Sequence, residues 1–269
     1  GEHSGETLAE LVRKFPADLL GKNPVSQFPL LIKFLDATDR LSLQVHPNDQ
    51  QAVTYDPSEN GKTEAWIILN TTPESRLWLG MKSGVTREQV RDALAENRID
   101  DVVHSLVPQP GDCYFVPAGT AHAIGEGILL AEVQQSSDLT FRMHDWGRVG
   151  TDGKPRELHL EESLACLDLE RGPQSAVTPR VISSGDHGVE ELVECPYFRI
   201  ERHRATEECA DSPNGKFFIL MLLSGKLSYE CGEVRETLNR GDTILVPASS
   251  PEMHLKPAAH STWLRIDCP

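Results

Sequence analysis

The sequence predicts a mostly all-β protein made of two related β-barrel or jelly-roll domains, with helical insertions in the first. Short segments of strand-forming residues are bounded by Gly, Pro, Asn and Asp along most of the chain. The word Gly111-Asp-Cys-Tyr-Phe-Val-Pro117-Ala118 recurs 130 residues later as Gly241-Asp-Thr-Ile-Leu-Val-Pro247-Ala248. Because the same word occurs once in each half, we interpret the halves as two copies of one β architecture.

The elements can be justified in chain order. Thr7-Leu-Ala-Glu10 is a capping box, and apolar residues follow at helical spacing up to Gly21, which predicts an N-terminal helix. Apolar or alternating segments then predict four strands and, after a second capping box at Thr86, a helix. These elements are Phe28–Leu35, Leu41–His46, Ala65–Leu69, Arg76–Gly80 and the helix from Thr86 to about Asn97.

The same criteria continue to the C-terminus. We expect a short helix over Asp101–Leu106, strands over Asp112–Pro117, Gly127–Gln134 and Leu139–Met143, a helix near Leu160–Leu167, and strands over Lys216–Gly225 and Lys226–Glu230. Four regions follow: an N-terminal helical segment (1–22), a first domain with the helical insertion (23–170), a linker rich in Gly, Pro, Ser and Asp (171–188), and a second domain (189–269).

The composition of the chain limits the class of protein and its location. The chain has 269 residues, of which 39% are hydrophobic and 25% charged, as expected for a globular protein. Its longest strongly apolar run, Phe217–Leu223, is too short to cross a bilayer, so we expect no membrane partner. Six scattered cysteines without a Cys-x-x-Cys pair, and an N-terminus without a secretory signal, predict a cytoplasmic location.

A formal net charge of −15 argues against nucleic-acid binding, because nothing would neutralise an extended phosphate backbone. A small phosphate ester would need a local cluster of cations working against the field of the whole chain. The oligomeric state is left open by the sequence.

Strict alternation in Leu41–His46 has a chemical consequence. Ser42, Gln44 and His46 fall on one face of the strand, about 7 Å between neighbours, and the leucines and valine fall on the other. A polar face on an interior strand predicts a lined cavity.

A metal site is predicted in that cavity. The Gly-Asp turn, the strand and the Pro-x-Gly turn of Gly111–His122 form a hairpin that presents His122, and His46 and Glu64 would complete the ligand set. Two imidazoles and a carboxylate suit Zn²⁺, Fe²⁺ or Mn²⁺, and the amide oxygen of Gln44 would favour zinc over iron.

The Gly-x5-Pro-x-Gly-x2-His pattern resembles the second signature of the cupin superfamily. Four blocks together resemble the type I phosphomannose isomerases in order and spacing, particularly the shorter bacterial branch. The blocks are Leu-Ser-Leu-Gln44-Val-His46-Pro, Gly61-Lys62-Thr-Glu64-Ala-Trp, Gly111–His122, and Glu132-Val-Gln-Gln-Ser-Ser-Asp138-Leu-Thr-Phe-Arg142.

The resemblance implies two cupin domains and one Zn²⁺ per chain, with Gln44, His46, Glu64 and His122 as its ligands. It implies an isomerase that interconverts mannose 6-phosphate and fructose 6-phosphate through an enediolate, with a small phosphorylated sugar as substrate. It also places three cations, Lys33, Lys62 and Arg142, at that substrate.

The site residues receive roles from this chemistry. Arg142 and Lys62 would stabilise the enediolate, and Glu132 would be the base, with a metal-bound water as its rival. Ser42 with a lysine would hold the phosphate, and Lys62 or Lys33 would open the sugar ring. For Arg142 the competing account is an ion pair with Asp138 or Asp145, and Glu132 would then merely hold Arg142.

Two other functions stay open: an Fe²⁺ dioxygenase built on the two histidines and the carboxylate, and a non-catalytic sugar-binding cupin.

Family members usually begin with a further segment containing Trp-Gly-Gly and Glu-Ser-Trp, whereas this sequence starts at Gly1 with the first helix. We therefore expect either a piece of a longer chain or a shortened chain with impaired stability and activity. The second domain carries no counterpart of His46 and Glu64, and His254 lies two places beyond the position of His122, so we expect a degenerate domain without a metal site.

Overall fold

The computed structural model describes residues 3–22, 25, 27–150 and 153–269. Its α-helices are α1 (Leu8–Lys14), α2 (Pro16–Leu20), α3 (Asp49–Tyr55), α4 (Arg87–Ala95) and α5 (Leu160–Cys166), and a 3₁₀ turn covers Ile99–Asp101. None of the helices in these ranges has the length and hydropathy needed to cross a membrane. Both predicted capping boxes are present, at Thr7 with Glu10 and at Thr86 with Gln89.

The chain divides into two compact units, which we call the central unit (Leu30–Val177) and the terminal unit (Gly1–Pro29 with Thr178–Pro269). The strands of the central unit are β1 (Leu30–Ala37), β2 (Leu43–Val45), β3 (Glu64–Asn70), β4 (Leu77–Met81), β5 (Val103–Leu106), β6 (Cys113–Val116), β7 (His122–Ile124), β8 (Ile128–Gln135) and β9 (Phe141–His144). They form two antiparallel sheets, in the orders β1-β8-β3-β6 and β5-β4-β7-β2-β9.

One hydrophobic core of the central unit joins the facing sides of these two sheets. Trp66 and Tyr114 contribute from the first sheet, and Leu77, Leu79 and Ile124 from the second. A second core covers the opposite side of the β5-β4-β7-β2-β9 sheet, where α4 and α5 pack against alternate residues of β2, β7 and β9. Alternation along these strands therefore places polar residues such as Gln44 and His122 between the two sheets.

The terminal unit is a second β-sandwich. Its strands are β10 (Arg180–Ser183), β11 (His187–Glu194), β12 (Arg199–Ala205), β13 (Cys209–Asp211), β14 (Phe218–Ser224), β15 (Lys226–Cys231), β16 (Val234–Asn239), β17 (Thr243–Val246), β18 (Met253–Pro257) and β19 (Ser261–Asp267). Its sheets have the orders β10-β11-β12-β19-β14-β17 and β13-β18-β15-β16, with a core between them that includes Phe218, Tyr229 and Trp263. The predicted mostly β, cupin-type fold is confirmed.

The repeated sequence word has one structure in both units. In each copy the aspartate side chain accepts a hydrogen bond from the backbone N–H three residues earlier, from Gln109 to Asp112 at 2.8 Å and from Asn239 to Asp242 at 2.7 Å. The strand that follows, β6 or β17, pairs antiparallel with β3 or β14. The word therefore encodes a closed Gly-Asp turn and the strand after it, whatever the side chains at the end of the hairpin.

Two sequence predictions need comment. The helix expected over Asp101–Leu106 is wrong, because Val103–Leu106 is strand β5, which pairs with β4 through Leu77 opposite Leu106. The β-branched Val102 and Val103 suit a strand, and pairing with β4 outweighs the weak helical pattern.

The units also divide the chain at other positions than the predicted regions. The N-terminal helices belong to the terminal unit, where the backbone N–H groups of Ala248 and Ser249 donate to the carbonyls of Leu19 and Asp18 at 3.0 and 2.9 Å. The predicted linker 171–188 contains the change of unit after Val177 and also strand β10. Positions 23, 24 and 26, at the predicted start of the first domain, lie outside the described residues.

Candidate metal centre

Two histidines and a glutamate converge inside the central unit. The His46 Nε2 atom lies 3.4 Å from Glu64 Oε1, and the His122 Nε2 atom lies 3.7 Å from Glu64 Oε2. All three side chains are buried, and their possible ligand atoms lie within 4.8 Å of one another. In the described part of the chain, this is the group of three or more His, Cys, Asp or Glu residues that is compact enough to hold a metal ion.

The strands explain why these three residues meet. His46 directly follows β2, Glu64 begins β3 and His122 begins β7. The β2 residue Gln44 pairs with His122, so two of the predicted ligands are neighbours in one sheet. Glu64 approaches from the other sheet, on the face that carries Trp66 into the core.

Protonation states suit metal binding. The carbonyl of Thr120 can only accept, so the His122 Nδ1 at 2.9 Å from it carries the proton and Nε2 keeps a lone pair. Burial lowers the pKa of His46 to about 3 and lowers the pKa of His122, in both cases against the attraction of Glu64. Burial alone would raise the pKa of Glu64, but His46, Lys62 and His122 lower it on balance. Two neutral imidazoles therefore face an ionised carboxylate near neutral pH.

A further observation supports a metal ion at these three side chains. The Nδ1 atom of His46 is buried and has no hydrogen-bond partner among the described residues. A buried ring nitrogen without a partner is costly, so packing alone does not account for it. Nitrogen and carboxylate donors of this kind suit a divalent transition metal.

Gln44 and Ser42 lie beside this cluster. The Gln44 Nε2 donates to the Ser42 hydroxyl at 2.9 Å, so the amide oxygen is the atom of that side chain that could bind a metal. Ser42 is buried, whereas Gln44 is half-buried. The structure thus places both predicted residues on the cavity side of β2.

Lys62 points at the cluster, as the sequence predicts. Its Nζ lies 3.3 Å from Glu64 Oε1, and the side chain is about 10% exposed. A buried ammonium group at the edge of the candidate metal centre is a fixed positive charge that a substrate oxygen or phosphate can approach.

Lys33 and Glu132 form an ion pair across β1 and β8. The Lys33 Nζ donates to Glu132 Oε1 and to Gln134 Oε1, both at 2.7 Å. Burial and the neighbouring Glu64 raise the pKa of Glu132, while Lys33 opposes that shift. The idea that Glu132 holds Arg142 is therefore wrong, because its carboxylate binds Lys33.

Arg142 lies opposite Gln44 in the pairing of β2 with β9. Its guanidinium donates to the carbonyl of Glu157 at 2.7 Å, and no carboxylate among the described residues lies within ion-pair distance of it. The competing ion pair with Asp138 or Asp145 is thus wrong, since Asp145 binds Arg148 and Arg156 instead. Within the part of the chain that the structure describes, Arg142 therefore has no paired acid.

Several contacts of the site were not predicted. Gln134 shares Lys33 with Glu132, and Trp66 packs edge-on against His122 with 5.4 Å between ring centroids. His159 accepts a hydrogen bond through Nδ1 from the Arg142 backbone N–H at 3.2 Å. The sequence did contain a signal for the contact between Gln134 and Lys33, because Gln134 lies two residues after Glu132 and so on the same face of the strand.

The terminal unit differs at the position that corresponds to Glu64. Glu64 pairs with Val116 in the first copy of the repeated word, and Phe218 pairs with the equivalent Val246 in the second. The strand after the second turn begins at Met253, whereas β7 begins at His122. The position of Glu64 is therefore apolar in the terminal unit, and the position of His122, eleven residues after the first glycine of the repeated word, is the exposed Glu252.

A fixed cation covers this phenylalanine. The guanidinium carbon of Arg265 lies 4.6 Å from the centroid of the Phe218 ring, and its nitrogens bind Asp211 and Asp267. Arg265 and Asp267 are buried. An internally neutralised guanidinium thus occupies the interior of the second sandwich.

Comparisons with known proteins identify relatives of this chain. The family model for the phosphomannose isomerase type I catalytic domain matches residues 3–74. The mannose-6-phosphate isomerase ManA of Bacillus subtilis is 33% identical over 256 residues, which cover 95% of this chain and 80% of the relative. A mannose-6-phosphate isomerase of Streptococcus mutans is 32% identical over 92% of this chain and 77% of its own length.

A solved structure extends the similarity to the fold. The crystal structure of the mannose 6-phosphate isomerase from Bacillus subtilis superimposes with a TM-score of 0.91 and 27% identity, over 99% of this chain and 83% of that one. Sequence identity above 30% across nearly the whole chain, together with this structural match, shows that the chain belongs to the type I phosphomannose isomerase family.

Proposed function

We propose that this chain is an enzyme that interconverts mannose 6-phosphate and fructose 6-phosphate, with one Zn²⁺ bound by Gln44, His46, Glu64 and His122. The observation that carries the proposal is the buried His46, Glu64 and His122 cluster beside the Lys62 ammonium, in a chain of this family. The relatives from Bacillus subtilis and Streptococcus mutans carry the name of that activity.

Zinc is the metal we favour over iron. Gln44 would add an amide oxygen to the two nitrogens and the carboxylate, giving a four-donor set typical of zinc. When bound, the ion would act as a Lewis acid that polarises a substrate oxygen and offsets negative charge.

Glu132 is our proposed general base. The reaction removes the proton from C2 of the open-chain aldose, and the electrons form the C1–C2 double bond of an enediolate while the aldehyde oxygen gains negative charge. The proton is then returned to C1 while the proton of the C2 hydroxyl passes to the C1 oxygen, so the C2 oxygen becomes the ketone and the C1 oxygen a hydroxyl. A carboxylate with a raised pKa suits this exchange, and Lys33 would keep it ionised and oriented.

The cations would stabilise the charged species. Lys62 and Arg142 would donate hydrogen bonds to the enediolate oxygens, which is an electrostatic contribution realised as the charge develops. Lys62 would also serve ring opening, and Ser42 with a lysine would bind the phosphate. These local cations answer the need for positive charge in a chain whose net charge is −15.

The decisive experiment is a coupled assay for mannose 6-phosphate isomerisation before chelation, after chelation and after zinc return. We expect activity to disappear with the metal and to return with zinc. Activity that survives complete metal removal would refute the proposal. Elemental analysis of the purified protein covers the dioxygenase alternative, since stoichiometric iron with oxygen-dependent turnover would point there. Sugar-phosphate-dependent stabilisation without any turnover would indicate a binding protein.

A further inference from the structure

The two segments that carry His46 and Glu64 are the two ends of one loop. Residues 47–62 leave the barrel after His46, form α3 and return just before Glu64. At the base of the loop, the backbone N–H of Lys62 donates to the carbonyl of Pro47 at 3.0 Å. The distance between the two ligand candidates therefore depends on how this base is closed.

The side chains of Asp49 and Gln135 form a bridge that also closes the base of this loop. The Asp49 Oδ1 atom accepts from the backbone N–H of Gly61 at 2.8 Å and from Gln135 Nε2 at 3.1 Å. The other end of the Gln135 amide, Oε1, accepts from the backbone N–H of Thr63 at 2.9 Å. Asp49 lies three residues after His46, and Thr63 directly precedes Glu64. The pair Asp49 and Gln135 thus ties one ligand segment to the other through the end of β8.

The backbone at this bridge is in close contact. A Cβ atom placed on Gly61 would lie 2.5 Å from the backbone nitrogen of Asp49 and 2.6 Å from the carbonyl carbon of Asn48. Real Cβ atoms do not approach backbone atoms so closely, so glycine is required there. The two segments have no room to move towards each other, and the hydrogen bonds of Asp49 stop them from moving apart.

The outer part of the loop has separate anchors. The Asn60 Nδ2 donates to the carbonyl of Ser136 at 3.1 Å, and the backbone N–H of Asp138 donates to Glu59 Oε2 at 3.1 Å. These bonds join the loop to the residues after β8 and do not involve Asp49. Loss of the Asp49 bridge would therefore loosen the base of the loop while leaving the loop attached.

We propose that Asp49 and Gln135 are positioning residues that set the separation of His46 and Glu64 and so determine metal affinity. The inference rests on the metal-binding part of the proposed function. Three ligands held at fixed spacing bind an ion without the cost of ordering them first, so loosening one segment weakens binding. Loss of groups that orient metal ligands costs roughly ten- to a hundredfold in affinity.

The test measures Zn²⁺ affinity of the full chain, by competition with a chromophoric chelator after metal removal. We expect Asp49→Ala to bind Zn²⁺ at least about tenfold more weakly than the unaltered chain. The matched control is Glu59→Ala, which removes a bond between the same loop and the same region after β8, and we expect its affinity to change less than twofold. Thermal unfolding of the metal-free variants gives the purely structural effect, which we expect to be similar for both.

A substitution of Gln135 tests the bridge from its other side chain. Gln135→Glu keeps the acceptor for Thr63 but turns a second carboxylate towards Asp49, and we expect about tenfold weaker binding. Zinc affinity that is unchanged in Asp49→Ala or in Gln135→Glu would overturn the inference.

Failure of the proposed function gives a different result. If His46→Ala binds Zn²⁺ as tightly as the unaltered chain, the ion is bound elsewhere and the metal centre itself is wrongly assigned. If zinc binds at His46 but mannose 6-phosphate is not isomerised, the proposed reaction is wrong. The Zn²⁺ affinities of the Asp49 and Gln135 variants still decide whether these residues position the ligands.

Discussion

Replacing Lys62 by methionine should separate metal binding from catalysis. Methionine keeps the apolar length of the side chain in this buried position but removes the ammonium group that lies 3.3 Å from Glu64 Oε1. Lys62 competes with a metal ion for that carboxylate and repels it by like charge. We therefore expect Lys62→Met to lose activity and yet to bind zinc more tightly.

The size of the effect follows from the distance. At 3.3 Å, two unit charges attract by about 1 kcal/mol in water and about 5 kcal/mol at an effective dielectric constant of 20. We use the lower value because desolvation of the buried pair offsets much of the attraction. About 1 kcal/mol corresponds to roughly fivefold tighter zinc binding, whereas loss of an electrostatic donor to the enediolate should lower kcat by about 10²- to 10³-fold.

The assay pairs chelator competition with the isomerase assay on the zinc-loaded protein. Lys82→Met is a suitable control, because this exposed lysine of the same unit donates to the backbone carbonyls of Asp100 and Asp101, away from the site. Zinc affinity that falls together with activity in Lys62→Met would mean that Lys62 supports the metal site structurally. Near-complete activity in that variant would refute its catalytic role.

Three more predictions concern the base, the arginine and the repeated turn. Arg142→Ala should lower kcat/KM by about 10²- to 10³-fold with unchanged zinc content in elemental analysis, and near-full activity would refute its electrostatic role. Glu132→Gln should abolish solvent exchange at C2, measured by deuterium incorporation. Because the pKa of Glu132 is raised above 4.5 and the base must be ionised, activity should fall on acidification at a pH above that ordinary value, and an acid limb at or below it would exclude Glu132 as the base. Asp112→Ala and Asp242→Ala each remove the same hydrogen bond of the turn, so each should cost about 1 kcal/mol in denaturant unfolding, with a further loss in Asp112→Ala because Asp112 also accepts from the Tyr114 hydroxyl; an effect in one copy alone would contradict the equivalence of the turns.

Local pattern was enough for most elements and for the polar face of the site. Alternation in Leu41–His46 correctly gives Ser42, Gln44 and His46 one orientation, because successive side chains of a strand point to opposite faces. Capping boxes likewise mark the helix starts at Thr7 and Thr86. Such features depend on residues close in sequence, so a sequence contains them completely.

Contacts between residues that are far apart in the sequence were harder to predict from sequence patterns. The partner of Lys33 is Glu132, 99 residues away, and it follows from the position of β8 between β1 and β3. Val103–Leu106 becomes a strand because β4 lies beside it, against a local pattern that suggested a helix. The partners of Asp145 are Arg148 and Arg156, although Arg142 is equally near in sequence.

The amino-acid sequence was enough to predict the cupin-type architecture, the repeat, the three metal-ligand candidates and the cations around them. It was enough because side-chain type and strand periodicity decide which groups face a cavity. Tertiary structure alone decided that Lys33 binds Glu132, that Arg142 has no paired acid within the described residues, and that Asp49 and Gln135 tie the two ligand segments together. These contacts depend on sheet order and register, which arise from long-range packing and are not specified by any short stretch of the chain.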